Sequence, residues 1–281
     1  MKLGAKADVF IPDGSTVESA LSRTTHLCIC AHQDDMEIFA FHGIAECFNS
    51  TDRWFTGVVV TDGAGSARNG GYADYTDEMM QQIRMREQRK AAAIGEYSAL
   101  IQLGHPSSTV KNNSSASVKS DLISILQACR PQILYLHNPA DKHDTHVAVL
   151  SRCIEAVRSL PQASRPASVY GCEVWRGLDW LCDKDKSVLP LSGLENLAAA
   201  LIGVFDSQIS GGKRYDLATA GRRLSNATYL ESHATDSITA ATYTLDLTPL
   251  VKDDHMTLED FTLGFIERFK ADVTERILRF N

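Results

Sequence analysis

Short apolar runs rich in β-branched residues alternate with longer stretches of helical periodicity through the first half of this chain. Residues 25–31 (THLCICA), 55–61 (FTGVVVT), 99–103 and 132–136 (QILYL) have the length and composition of buried strands. Residues 34–48, 77–97 and 118–129 carry apolar side chains at helical spacing, and a glycine-rich loop, 62–75, follows the second run. Strands that are apolar on both faces must be covered on both. The repeat therefore predicts an α/β fold, a Rossmann-like, mostly parallel sheet with helices on both faces. Ligands of such sheets bind beyond the carboxyl ends of the strands.

After about residue 165 the rhythm loosens. Residues 168–175 (SVYGCEVW) and 242–247 (TYTLDL) read as further strands, 191–230 as helical with a break at 210–212, and 258–280 as a terminal amphipathic helix. No internal repeat or low-complexity linker interrupts the chain. The expectation is one domain over 1–281, with a core of about 25–180 and an α/β extension of about 181–281 that completes the sheet and closes over its edge.

The net charge of −7 and pI near 5.7 exclude a general nucleic-acid binder, which needs a dense basic face to displace counterions from phosphates. The N-terminal segment lacks a secretory pattern, and no apolar run approaches the roughly 18 residues that cross a bilayer. The expectation is a cytoplasmic chain without membrane insertion, its oligomeric state left open between monomer and homo-oligomer. Its seven cysteines are odd in number and lie mostly in apolar segments, so they are expected to be reduced. Cys28 and Cys30 share one strand face, but without a second cysteine pair they read as core rather than as a zinc set.

Two polar clusters fall at strand ends. The first, Ala31 to Glu37 (AHQDDME), follows the first run; the second, His137 to His146 (HNPADKHDTH), follows the fourth. The fold puts both on the same rim. Imidazole and carboxylate converging from two loops suit zinc or a near neighbour, and a carboxylate beside them that does not bind the ion can accept a proton from water. Adjacent aspartates cannot point the same way, so Asp34 and Asp35 are expected to divide those tasks.

The segment AHQDDME resembles the AHxDDxE signature of the LmbE-like, or PIG-L, family of zinc-dependent N-deacetylases, and HDTH at 143–146 is similar to that family's HPDH. Thr61-Asp62-Gly63, the Arg84 to Gly95 helix pattern and Leu103-Gly104 follow in family order, so the likeness runs over about 25–155. The resemblance implies that His32, Asp35 and His146 bind Zn2+, or another divalent ion such as Fe2+. It implies that Asp34 is the general base, and that His143 steadies the tetrahedral intermediate or protonates the leaving amine. It implies a small-molecule substrate carrying an N-acetylated amino sugar.

Gln33 stands where the family has proline, and Thr145 where it has the aspartate before the last histidine. Asp141 or Asp144 is then the expected orienting partner of His143 and His146. Arg68, in the loop, and Arg84, on the following helix, are candidate substrate contacts. Glu173 and Trp175 are a candidate carboxylate and aromatic wall, with core packing the alternative for the tryptophan.

Blander roles remain beside these. Asp34 or Asp35 fits a helix first turn, His137 and His143 fit hydrogen-bonded loop positions, and His42 and His105 read as packing residues. Two other functions use the same residue types. One is an Fe(II) oxygenase with two histidines and a carboxylate, although such sites usually sit in β-barrels. The other is a carbohydrate-binding protein without turnover, against which the retained Asp34 speaks.

Overall fold

A computed structural model describes all residues, 1–281. Eight strands build one sheet: β1 (Asp8–Phe10), β2 (His26–Cys30), β3 (Phe55–Thr61), β4 (Ala99–His105), β5 (Ile133–His137), β6 (Ser168–Cys172), β7 (Ser187–Pro190) and β8 (Ala241–Asp246). Their order across the sheet is β1-β4-β3-β2-β5-β6-β8-β7. The central five, β4 through β6, run parallel. β1 pairs antiparallel with β4, β8 with β6, and β7 with β8. This is the expected α/β fold, and strands from the C-terminal third do complete the sheet.

The period of two along each strand divides the core into two layers. Leu27, Ile29, Val58, Val60, Leu134 and Leu136 face one layer, shared with the helices Ala116–Cys129 and Asp144–Arg158. Cys28, Cys30, Phe55, Val59 and Tyr135 face the other, where Phe39, Phe41, Ile44, Leu197 and Leu201 pack. Each Val, Leu or Ile so buried contributes about 1.5–3 kcal/mol. All seven cysteines are free, and Cys28 and Cys30 are core residues. The helix Phe41–Cys47 lies close on the sheet because Gly43 has no side chain; a Cβ there would stand 2.6 Å from the Tyr135 ring.

Three expectations need correction. The helix expected over 34–48 is two short helices, Asp35–Phe39 and Phe41–Cys47, broken at Ala40. Arg223, from the distant helix Tyr215–Thr228, donates to the carbonyls of Glu37 and Ile38, which a continuous helix would have used internally. The strands β1 and β7 lie outside the expected set, being three and four residues long, too short for alternation to show. The helix Asp144–Arg158, carrying the second histidine cluster, also lies outside it.

After β2 the chain moves to β3 on one side, and after β5 to β6 on the other. The β2–β5 boundary is therefore where the winding reverses, and a crevice opens at their carboxyl ends.

Candidate metal centre and active site

His32 lies just past β2, and Asp35 opens the helix that follows. His146 stands in the first turn of Asp144–Arg158, delivered by the loop after β5. The adjacency of β2 and β5 brings these residues together across more than a hundred positions. Three donor atoms form a near-equilateral triangle. His32 Nδ1 is 3.2 Å from His146 Nε2 and 3.3 Å from Asp35 Oδ2, and the last two are 3.4 Å apart. Atoms bound tetrahedrally to zinc at about 2.0–2.1 Å stand roughly 3.3 Å from one another, so the donor set fits such an ion.

Side chains around the triangle fix its orientation. Asp141 Oδ2 accepts from His146 Nδ1 at 3.4 Å and from the Trp175 N–H at 3.2 Å, while Oδ1 accepts from the His143 N–H at 3.0 Å. A proton on His146 Nδ1 leaves the lone pair on Nε2 turned towards Asp35 and His32. Asp144 has no such contact and is exposed at the helix start, so of the two candidate orienting carboxylates the structure gives the contact to Asp141. His137 Nε2 lies 3.6 Å from Asp35 Oδ2 but accepts the Ala31 N–H at 2.9 Å, so its lone pair is already engaged. Its ring stacks on His146 at 4.0 Å.

Asp34 is held with φ +89°, ψ −31°, a conformation unusual outside glycine. Its N–H donates to Gln88 Oε1, which fixes the peptide, and its Oδ2 is buried without a hydrogen-bond partner. The nearest cation is Arg84, with Nη2 at 3.5 Å from Oδ2. Burial outweighs that attraction and raises the Asp34 pKa well above the usual carboxylate range. Burial also pushes on Asp35, but His146, His32 and His137 hold its carboxyl far below that range. The pKa of His143 is lowered, chiefly by burial and then by His146 and His32, so the ring rests neutral.

Both candidate substrate arginines hold backbone carbonyls and keep Nε without a partner, and Arg84 lines the cleft beside Asp34. Arg84 is buried and donates to the carbonyls of Gln33 and Gly63, tying the β2 and β3 loops together behind Asp34. Arg68 donates to the carbonyls of Ala64 and Tyr75 and pairs with Asp77, which folds the glycine-rich loop on itself. Tyr72 anchors that loop to Asp206. Glu173 is likewise engaged, accepting from Asn226 and from the N–H groups of Leu178 and Tyr243. Trp175 is half-buried against Tyr215 and forms a wall of the cleft, 6.4 Å from the His143 ring.

Gln208, Lys213 and Tyr215 close the cleft from the C-terminal third. No local pattern announced them, since they reach the site only through packing. Ser207 illustrates how: its N–H and hydroxyl both donate to buried Glu87 on the helix Asp77–Ile94. His105 pairs with Asp121, and His42 bonds to the Tyr135 hydroxyl, both as packing residues.

Residues 27–157 match the sequence profile of the GlcNAc-PI de-N-acetylase family, PIG-L. This stretch is a PIG-L family domain. Comparison with curated proteins gave no match. Among solved structures, this chain is similar to N,N'-diacetylchitobiose deacetylase from Pyrococcus horikoshii, with TM-score 0.62 and 16% identity over 80% of this chain and 84% of that one. It is also similar to a deacetylase of the teicoplanin biosynthetic pathway, with TM-score 0.55 and 16% identity over 79% and 97% of the two chains. A third is the 4-carboxy-2-hydroxymuconate hydratase GalB from Pseudomonas putida, with TM-score 0.57 and 16% identity over 80% and 95%. At these identities the likeness is one of fold.

Proposed function

We propose that this PIG-L family chain is a metal-dependent hydrolase that removes an N-acyl group, N-acetyl in the simplest case, from a substrate containing an amino sugar. In this reading it works as one domain, with a core of about 25–180 and an extension of about 181–281. The observation that carries it is the triangle of His32, Asp35 and His146 donor atoms, with edges of 3.2–3.4 Å, beside an aspartate oxygen that no protein group uses.

A divalent cation in that triangle, Zn2+ or a neighbour such as Fe2+, would polarise the acyl carbonyl and lower the pKa of water. Asp34 takes the proton from the attacking water. A raised pKa brings its carboxylate closer to the operating pH, which makes it a stronger base than an exposed aspartate. The fixed backbone at 34, tied by Gln88 and by the Arg84 contact, limits motion of that oxygen. His143, neutral at rest, offers a ring N–H to the oxygen that becomes negative, and the proton that Asp34 took from water returns to the departing amine. Trp175 and Tyr215 supply an aromatic wall for a sugar ring.

The test is primary-amine release from a panel of N-acetylglucosamine conjugates, with and without chelator, alongside metal analysis. Release that stops on chelation and returns with added ion supports the reading. Absence of release across the panel from metal-loaded protein would remove it. A zinc-inhibited form of teicoplanin deacetylase is known, so the titration should cover several metals and excess zinc.

A further inference from the structure

A chamber of about 140 Å³ opens beside Asp34 and Asp35, walled in part by the helix Tyr215–Thr228. Besides Asp34, Asp35 and Glu173, three polar lining residues are more than nine-tenths buried: Arg223 and Thr219 at 7% exposure and Thr242 at 3%. Their bonding capacity is mostly unused. Arg223 Nη2 donates to the carbonyls of Glu37 and Ile38, but Nε is buried without an acceptor and Nη1 makes no hydrogen bond to the protein. Neither the Thr219 nor the Thr242 hydroxyl bonds to the protein, and both stay accessible from the chamber.

The Arg223 guanidinium lies 4.7 Å from the Phe41 ring centroid, with no carboxylate within 4.0 Å. Burial pulls its pKa down to about 10, which leaves it cationic at neutral pH. Of the carboxylates that face the chamber, Asp35 and Glu173 are engaged by protein groups, while Asp34 keeps one oxygen free with Arg84 as its nearest cation. Asp35 sits in the histidine triangle, Asp34 is beside Arg84, and Glu173 is held by Asn226 and two backbone N–H groups. Arg222, the other arginine of the wall, donates to the Val174 carbonyl.

A buried cation without a counter-ion is costly. An anionic group beside Arg223 would supply the missing counter-charge, and guanidinium and hydroxyl donors both suit carboxylate or phosphate oxygens. The space has room for an anionic substituent. We propose that the chamber holds an anionic group of the substrate, which makes the substrate class an acidic N-acyl amino sugar and Arg223 and Thr219 its specificity determinants. This rests on the deacylase reading of the adjoining site.

The test compares kcat/KM of the metal-loaded full chain on three substrates: neutral N-acetylglucosamine, N-acetylglucosaminuronate with its carboxylate on the sugar, and N-succinylglucosamine with its carboxylate on the acyl chain. At least one acidic substrate is expected to exceed the neutral one by tenfold or more, and the better of the two tells which side of the amide the chamber serves. Arg223→Met should collapse that ratio towards one, and the near-isosteric Thr219→Val should lower it severalfold. The readout is the ratio because a merely loosened fold slows all substrates alike.

Calorimetry with succinate and with inorganic phosphate, on wild type and both variants, distinguishes carboxylate from phosphate recognition. Amine release with no acidic preference, and no loss of anion binding in either variant, overturns the proposal while leaving the deacylase reading intact. Anion binding that depends on Arg223, without amine release from any substrate, keeps the chamber and removes the deacylase reading.

Discussion

Replacing Asp141 tests how the second loop is held. Its side chain is fully buried and accepts three hydrogen bonds, from the N–H groups of His143 and Trp175 and from His146 Nδ1. Asp141→Ala leaves two backbone donors buried without acceptors, and each such loss costs about 1–3 kcal/mol, so about 2–6 kcal/mol together. At about 2.1 cal/mol/K per residue, 281 residues give an unfolding entropy of roughly 0.6 kcal/mol/K, and the expected fall in Tm is about 3–10 °C.

Asp141→Asn separates stability from metal affinity. Its amide nitrogen must face either the His143 N–H or the pair formed by the Trp175 N–H and His146 Nδ1. The first choice costs one backbone hydrogen bond. The second costs another and pushes the His146 proton towards Nε2, where the donor lone pair is needed. Both remove the negative charge that makes His146 a stronger ligand, so metal affinity is expected to fall about 10–100-fold. Competition with a chromophoric chelator measures the affinity, and thermal unfolding with and without metal measures the rest. A variant with metal affinity within twofold of wild type and an unchanged Tm would refute the orienting role.

Asp34→Asn is expected to lower kcat by about 10²–10⁴-fold with metal content unchanged, measured by amine release and elemental analysis. The same variant should gain stability relative to wild type as pH rises. The folded pKa of Asp34 lies above its unfolded value of about 3.9, so the folded state holds the proton longer and wild-type stability falls through that interval; a parallel pH dependence would contradict this.

Glu37, whose pKa burial lifts to about 8, behaves likewise: stability is lost as pH rises from about 4.5 through 8. Glu37→Gln keeps an acceptor for Gln88 and Tyr97, so it should be the more stable form at pH 9 by at least about 1 kcal/mol in denaturant titration. Chelation should lower Tm by several degrees, because an ion at a hundredfold its Kd adds about 2.7 kcal/mol. Refilling should restore it, and no shift on chelation would argue against a bound ion.

Much of the fold was legible because its signals are local. Residues 55–61 coincide with β3, and the runs at 25–31, 99–103 and 132–136 fall within two residues of β2, β4 and β5. An apolar run of five to seven residues is too short to make a buried helix of its own, and between helical stretches it forms a strand. The helix break at Ala40 was not legible, because Arg223, which takes up the carbonyls it frees, lies more than 180 positions away. The occupation of Arg68 and Arg84 was hidden for a similar reason. An arginine in a polar loop or on a polar helix looks free until the carbonyls around it are known, and here Ala64, Tyr75, Gln33 and Gly63 take up the terminal guanidinium nitrogens.

The positions of the parallel strands along the chain and the chemical character of His32, Asp34, Asp35 and His146 follow from the amino-acid order alone. Side-chain periodicity and the three-residue spacing of His32 and Asp35 act over one or two turns of chain. The meeting of His32 with His146, the choice of Asp141 over Asp144, the occupation of His137 by the Ala31 N–H and the unpaired Arg223 belong to the tertiary structure. These depend on distances between segments far apart in the chain, which are set when β2 pairs with β5 and the helix Tyr215–Thr228 packs across the crevice.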